Sequence, residues 1–311
     1  MESKRRFFLK SASVLAGAAV FGKPLTTLAN VSKTINGFSR RNELIVYHTA
    51  NLNGYIESGK GQQGGLNEIN KLIQDQEAFG LIIDAGNFIG KADDMKVISK
   101  MNKMGYHAAT IGVAELRNGE EGLATFLPFM NFPLVNCNYS FSNPVLSSRV
   151  KTSTIIYSGN LKIGITGLGA KTGTDGVRFQ NPYLALNRTA ELLKVNERCD
   201  LVICLSNLDA EDKTYNNIEL ANKSVYVDFI IGKNSTKVMR GAMICRNSRK
   251  EEVMLTQVGY DGLIVGKTSF MMNGLKEKNG FAHQYLAAGM PLQNNPKYAN
   301  QILNRMVNST V

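Results

Sequence analysis

The stretch Leu44-Ile45-Val46-Tyr47-His48, followed at once by Thr49-Ala50-Asn51-Leu52-Asn53-Gly54, decides how the rest of the chain is read. Five residues rich in Leu, Ile and Val are too few for a buried helix and fit a strand covered on both faces. The six that follow are loop formers, with two asparagines and a glycine suited to tight backbone. The same punctuation returns along the chain. Residues 81–84 lead into Ala85-Gly86-Asn87, and residues 108–111 into Gly112-Val113-Ala114-Glu115. Residues 201–205 lead into Ser206-Asn207-Leu208-Asp209, and residues 227–231 into Gly232-Lys233-Asn234-Ser235-Thr236. Further short apolar runs at 132–135 and 163–167 read as strands. Helical spacing fills the gaps: Leu66, Ile69, Leu72 and Ile73 predict a helix over 66–78, with others over 95–104, 122–130 and 184–195. Strands alternating with helices predict an α/β fold with helices covering the sheets. After residue 235 the pattern changes to three consecutive strands, 237–245, 252–258 and 263–271, read as a meander, and an amphipathic helix over 296–307.

The chain opens with Lys4-Arg5-Arg6-Phe7-Phe8-Leu9-Lys10, then an apolar run from Ser11 to Phe21 that falls short of the ~20 residues a membrane span needs. A basic start, a short apolar stretch and Thr27-Leu28-Ala29 before Asn30 read as a secretory signal. The Arg5-Arg6-x-Phe8-Leu9-Lys10 run is close to a twin-arginine signature, an address read by a receptor. The expectation is a signal peptide over 1–29, a single domain over 30–311, export to the periplasm, and no stable transmembrane segment once the signal is removed. The net charge is +11, of which residues 1–29 carry +4, leaving +7 on the rest. The basic residues are scattered and no nucleic-acid motif accompanies them, so a nucleic-acid partner is not expected. Cys137, Cys199, Cys204 and Cys245 form no C-x-x-C pair. They read as free buried thiols, although the compartment would permit disulfides.

In α/β folds active sites gather at the carboxyl ends of strands, so the loops just quoted are where chemistry is sought. These segments, in this order, resemble the metallophosphatase domain of 5′-nucleotidases and related calcineurin-like phosphoesterases. That family's pattern runs T-N-D-x-H-G, G-G-[LF], D-x-G-D, M-N-x-[ML]-G-Y-D-x-x-x-x-G-N-H-E, L-x-H and G-G-H-[TS]-H. Gly64-Gly65-Leu66 fits the second element and Met101-Asn102-Lys103-Met104-Gly105-Tyr106 the approach to the fourth. The resemblance covers about residues 43–270 and implies a four-layer αββα sandwich. It also implies that a separate C-terminal nucleotide-binding domain would not fit in 311 residues.

The departures fall in one place. The family's first Asp and His ligands fall on Asn51 and Asn53, and its bridging Asp on Asn87. Its Asn ligand and catalytic His fall on Val113 and Ala114, and the Asp partner of that His on Arg117. The later His ligands fall on Asn207, Asn234 and Thr236, while Asp84 and Glu115 match. A two-metal hydrolytic centre needs carboxylates to offset the repulsion of two cations, and imidazoles as neutral donors. The chain has only three histidines, His48, His107 and His283, none at a resembled ligand position. His48 and His107 read as core residues, and Gly59–Gly65 as a loop capping a helix. The expectation is therefore no metal cofactor and no catalytic residue, where the family would use two divalent ions. What remains is a binding or partner module whose asparagine-lined cleft suits a nucleoside, a sugar-like ligand or a loop of a partner protein. The alternative is a divergent metal-dependent phosphoesterase rebuilt on Asp84, Glu115, Asp209 or Asp228.

Overall fold

A computed structural model describes residues 33–35, 43–57, 63–76, 78–90, 93–209, 212–234, 241–259 and 261–289. The predicted signal segment, the helix over 296–307 and most of the Gly59–Gly65 loop lie outside them. After β1 (Lys33–Ile35), the chain runs through β2 (Glu43–Thr49), α1 (Gly65–Gln74), β3 (Leu81–Asp84), α2 (Asp94–Met104), β4 (Ala108–Thr110), α3 (Gly119–Phe126) and β5 (Leu134–Val135). The strands β2 to β5 pair in parallel in chain order, as repeated strand–helix crossovers require. The helices start and stop where side chains say they should. Asp93 caps α2 by accepting hydrogen bonds from the backbone N–H groups of Met95 and Lys96, and Gly105 ends it in the left-handed conformation. Leu66, Ile69 and Leu72 form the buried stripe of α1, which stops at Gln74, short of the predicted 78.

The second half contributes β6 (Tyr139–Ser140), α4 (Pro144–Arg149), β7 (Ser153–Ser158), β8 (Leu161–Leu168), β9 (Arg178–Phe179), α5 (Pro182–Glu191), β10 (Leu201–Ser206), α6 (Asn217–Lys223) and β11 (Phe229–Asn234). The chain then forms β12 (Met243–Arg246), β13 (Glu252–Gly259), β14 (Ile264–Met272) and β15 (Lys278–Ala287). One sheet has seven strands in the order β1-β7-β8-β10-β11-β13-β12, and the other six in the order β15-β14-β2-β3-β4-β5. The expected meander is corrected here. β12 and β13 do form an antiparallel pair, but β13 and β14 belong to different sheets. The Asp261-Gly262 turn carries the chain across the sandwich, because β13 pairs in parallel with β11 while β14 pairs with β2. The hairpin partner β15 was not anticipated: Lys278–Ala287 carries few of the aliphatic residues that mark buried strands.

Three apolar clusters define the layers. Between the sheets lie strand residues such as Leu44, Val46, Ile83, Ile163, Leu205, Phe229 and Met254. Outside the six-stranded sheet, Tyr47 and Ile82 meet Leu66, Ile69, Val97 and Met101 of the helices. Outside the seven-stranded sheet, Val202 and Ile230 meet Leu186, Ala190 and Leu220. Helix, sheet, sheet, helix is the four-layer αββα sandwich that the resemblance implied. The four cysteines are free and buried in the core outside the seven-stranded sheet. Among the described residues no helix is long and apolar enough to cross a membrane.

The inter-sheet layer has one polar intrusion. His48 on β2 is fully buried, stacked on His283 of β15 with ring centroids 5.8 Å apart, and Thr268 lies within hydrogen-bonding reach of both. The ring fits because the facing residue is Gly266, where a Cβ would lie 2.0 Å from His48 Cε1. Gly266→Ala must displace the ring inside a packed layer. It is expected to cost about 1–3 kcal/mol, read as a lower urea midpoint with unchanged slope.

Candidate functional site

The parallel strands β2, β3, β10 and β11 all end on one rim, so the loop residues Asn51, Ala85 and Asn207 and the β11 residue Lys233 gather there, joined by the 111–117 loop after β4 and by Asp261. The rim is sewn together by backbone: Asn51 N–H donates to Gly86 O, Asn53 N–H to Asn87 O, and Asp261 N–H to Asn51 O. Asn51, Asn53 and Asn87 sit at φ of 48°, 49° and 59°. Asparagine tolerates this left-handed region better than most residues, so the backbone alone gives these loops a reason to hold it.

Three of the five asparagines come together. Asn51 Oδ1 accepts from Asn87 Nδ2 at 2.8 Å, and Asn87 Oδ1 accepts from the Ala114 N–H at 3.0 Å. Asn207, wholly buried, reaches across the sandwich to donate to Ala85 O at 2.8 Å. Gly86 and Gly112 are the floor against which these amides lie. A Cβ on Gly112 would fall 2.2 Å from Asn87 Oδ1 and 2.7 Å from Asn207 Oδ1, and one on Gly86 2.7 Å from Asn207 Nδ2. Asn53 turns away and donates to Asp261 Oδ1 at 2.7 Å. The side chain of Asn234 and all of Thr236 lie outside the described residues.

The two carboxylates of the resembled pattern face inward. Asp84 Oδ1 accepts from the Gly86 N–H at 2.7 Å and its Oδ2 from the Thr49 hydroxyl at 2.6 Å. Burial pushes its carboxyl well above the ordinary range, opposed by the hydrogen bonds from Thr49 and Gly86 and reinforced by Glu115. Glu115 Oε2 accepts from the N–H groups of Asn87 (2.8 Å) and Gly112 (2.7 Å), and its Oε1 from Ile89 (3.1 Å). Burial raises its carboxyl too, against the pull of those bonds. Val113 is half exposed, and Ala114 offers its backbone to Asn87. Arg117 pairs with Asp94 at the start of α2.

Whether two cations fit here is a question of donors. Their ligands would have to be free oxygen or nitrogen lone pairs aimed at one point. Every carboxylate oxygen of Asp84 and Glu115 already accepts from a backbone N–H group or a hydroxyl, and the Asn51–Asn87 contact joins the two loops directly. Among the described residues no group of three His, Cys, Asp or Glu side chains could hold a metal ion. His48 and His283 lie between the sheets, and His107 Nδ1 accepts from the Ile82 N–H at 3.0 Å, away from the rim. Asp228 precedes β11, at the opposite end of the sheet, and pairs with Lys194. The side chains in view do not fit a two-cation centre.

A residue that the sequence reading passed over stands among them. Lys233 is buried on the rim, its Nζ 2.9 Å from Asp209 Oδ1, and Asp209 itself is 63% exposed. Its signal was available, because the resembled G-G-H-[TS]-H pattern places glycine where this chain has Lys233. A buried lysine thus shares the rim with the amides.

No family model matches the chain. An apyrase of Tabanus yao is 31% identical over 142 residues, covering 43% of this chain and 25% of that protein. The trifunctional nucleotide phosphoesterase protein YfkN of Bacillus subtilis is 22% identical over 269 residues, covering 72% of this chain and 18% of its own length. The chain thus spans a quarter or less of either relative. The structure of a 5′-nucleotidase precursor from Thermus thermophilus superposes with a TM-score of 0.71 at 19% identity, covering 86% of this chain and 59% of that one, a likeness of fold. By sequence the chain is similar to nucleotide phosphoesterases over part of their length, and by architecture it has the metallophosphatase fold of the calcineurin-like phosphoesterases and 5′-nucleotidases.

Proposed function

We propose that this chain is an exported, non-catalytic member of the family, serving as a binding or partner module for a small polar ligand or a protein. One observation carries the reading: at the strand ends, Asn51 and Asn87, which stand at resembled ligand positions, are bonded to each other, and Asp84 and Glu115 are bonded to backbone N–H groups and a hydroxyl. The Asn51–Asn87 amide contact, at 2.8 Å, stands for the whole arrangement. An amide oxygen carries no net charge, so two neighbouring cations would repel without the carboxylates that offset them. The opening Lys4-Arg5-Arg6 cluster and apolar run support export to the periplasm.

Metal content and hydrolysis test the reading together. Purified full-length protein is expected to carry Mn, Zn, Fe and Ca well below one equivalent and to leave an aryl phosphate intact after prolonged incubation. Hydrolysis that a chelator abolishes would overturn the reading in favour of a metal-dependent phosphoesterase rebuilt on other ligands.

A further inference from the structure

We infer that Lys233 makes the rim a receiving site for a carboxylate, with Asp209 as its built-in, displaceable occupant. The inference rests on the non-catalytic reading above and names the ligand chemistry for the same rim. Ser206 pairs with Gly232 as the last rung of the β10–β11 ladder, so Asn207, just past β10, and Lys233, still on β11, come side by side. Both continue the series that faces the other sheet, Ile203 and Leu205 on β10, Phe229 and Ile231 on β11. Lys233 therefore lies with Asn207 on the inner side of the rim, not on the helix-covered side. Its side chain is 9% exposed.

A buried ammonium is costly unless an anion accompanies it. Here that anion is the carboxylate of Asp209, at 2.9 Å, on a side chain that is otherwise mostly in water. The two partners are unequally held. Lys233 is fixed by the strand and its packing, whereas Asp209 approaches from the solvent side and gives up little when it leaves. A carboxylate from outside can take its place without breaking any strand or core contact. The chemistry recognised is a small carboxylate. The net charge of +7 outside residues 1–29 favours such anions at long range.

The test uses glycolate as the probe and glycolamide, its neutral analogue, as the control, with thermal unfolding and amide chemical shifts read at constant ionic strength. Glycolate is expected to give a saturable shift that glycolamide does not. Asp209→Asn, a change at an exposed side chain, removes the internal competitor and is expected to tighten glycolate binding by roughly fivefold. Lys233→Met, which keeps the length of the stem and removes the charge, is expected to abolish it. Glycolate binding of equal strength in Lys233→Met, or none in Asp209→Asn, overturns the inference, as does a shift that equimolar chloride reproduces. Asp209→Asn keeps the test decisive should Lys233→Met fail to fold. Metal content and aryl phosphate hydrolysis are measured on the same preparation. Absence of glycolate binding without hydrolysis removes this inference alone, whereas chelator-sensitive hydrolysis removes the non-catalytic reading.

Discussion

Glu115→Ala is expected to cost about 3–6 kcal/mol of folding stability, the largest effect of any single truncation on the rim. Glu115 is buried, and its two oxygens accept from the N–H groups of Asn87, Gly112 and Ile89 at 2.7–3.1 Å. Alanine leaves the buried donors of Gly112 and Ile89 and the part-buried one of Asn87 without an acceptor; a fully buried orphan costs about 1–3 kcal/mol and a part-buried one, open to some water, less. A typical domain has only about 5–15 kcal/mol in total. Because those donors belong to the 86–90 loop and to Gly112, the loops after β3 and β4 would lose the group that ties them together. Glu115→Gln keeps one acceptor oxygen and turns an NH2 group toward the other donors, so it should fall between alanine and the wild type. Urea unfolding near neutral pH separates the three proteins. A Glu115→Ala midpoint matching the wild type would show that the loops do not depend on this carboxylate.

That prediction explains why some of the site could be read in the sequence and some could not. The strand ends were legible because buried strands are apolar and the loops after them are not. Residues 44–48 and 201–205 fall on strands that meet the rim, as do 229–231 of the run 227–231. Asp84 and Glu115 were identifiable by position, but their role was not. A carboxylate that binds a cation and one that accepts backbone N–H groups look alike in a sequence, and only the direction of the lone pairs distinguishes them. The asparagines were read as a set of five, yet Asn53 leaves for Asp261, a residue far along the chain on the turn between the two sheets. Such a partner follows from the crossing of β13 to β14, which the pattern of three successive strands concealed. Lys233 was overlooked because a lysine at the end of a strand ordinarily points to solvent. Its burial comes from the alternation that places it on the inner side, visible once the register with β10 is known.

Acid is expected to destabilise the protein through the histidine pair between the sheets, and the amount can be assigned to one residue. Burial lowers the His283 imidazole from its ordinary 6.5 to about 4. His48 is lowered well below its ordinary value, first by burial and then by repulsion from His283. Both are neutral in the folded protein, and Nδ1 of His48 and Nε2 of His283 are buried with no partner among the described residues. Thr268, Phe229 and Tyr285 face the two rings, and none of them brings a carboxylate to stabilise an imidazolium. A depressed imidazole leaves stability intact above the unfolded value and removes it as pH falls, since the unfolded chain takes up protons that the folded one refuses. For His283 the loss begins near pH 6.5 and is complete near pH 4, and it amounts to about 3 kcal/mol. Asp84 and Glu115 act in the opposite sense, because their raised carboxyls bind protons more readily folded than unfolded and so add stability as pH falls. The total slope therefore mixes both signs, and the informative quantity is a difference. His283→Gln keeps a polar partner for Thr268 and cannot titrate. Urea unfolding of both proteins at a series of pH values between 7.5 and about 4 should show the wild type losing more stability than the variant by about 3 kcal/mol. Parallel curves over that range would mean that His283 is protonated in the folded protein at no cost, and that the space between the sheets is wetter than the packing around Gly266 and Phe229 indicates.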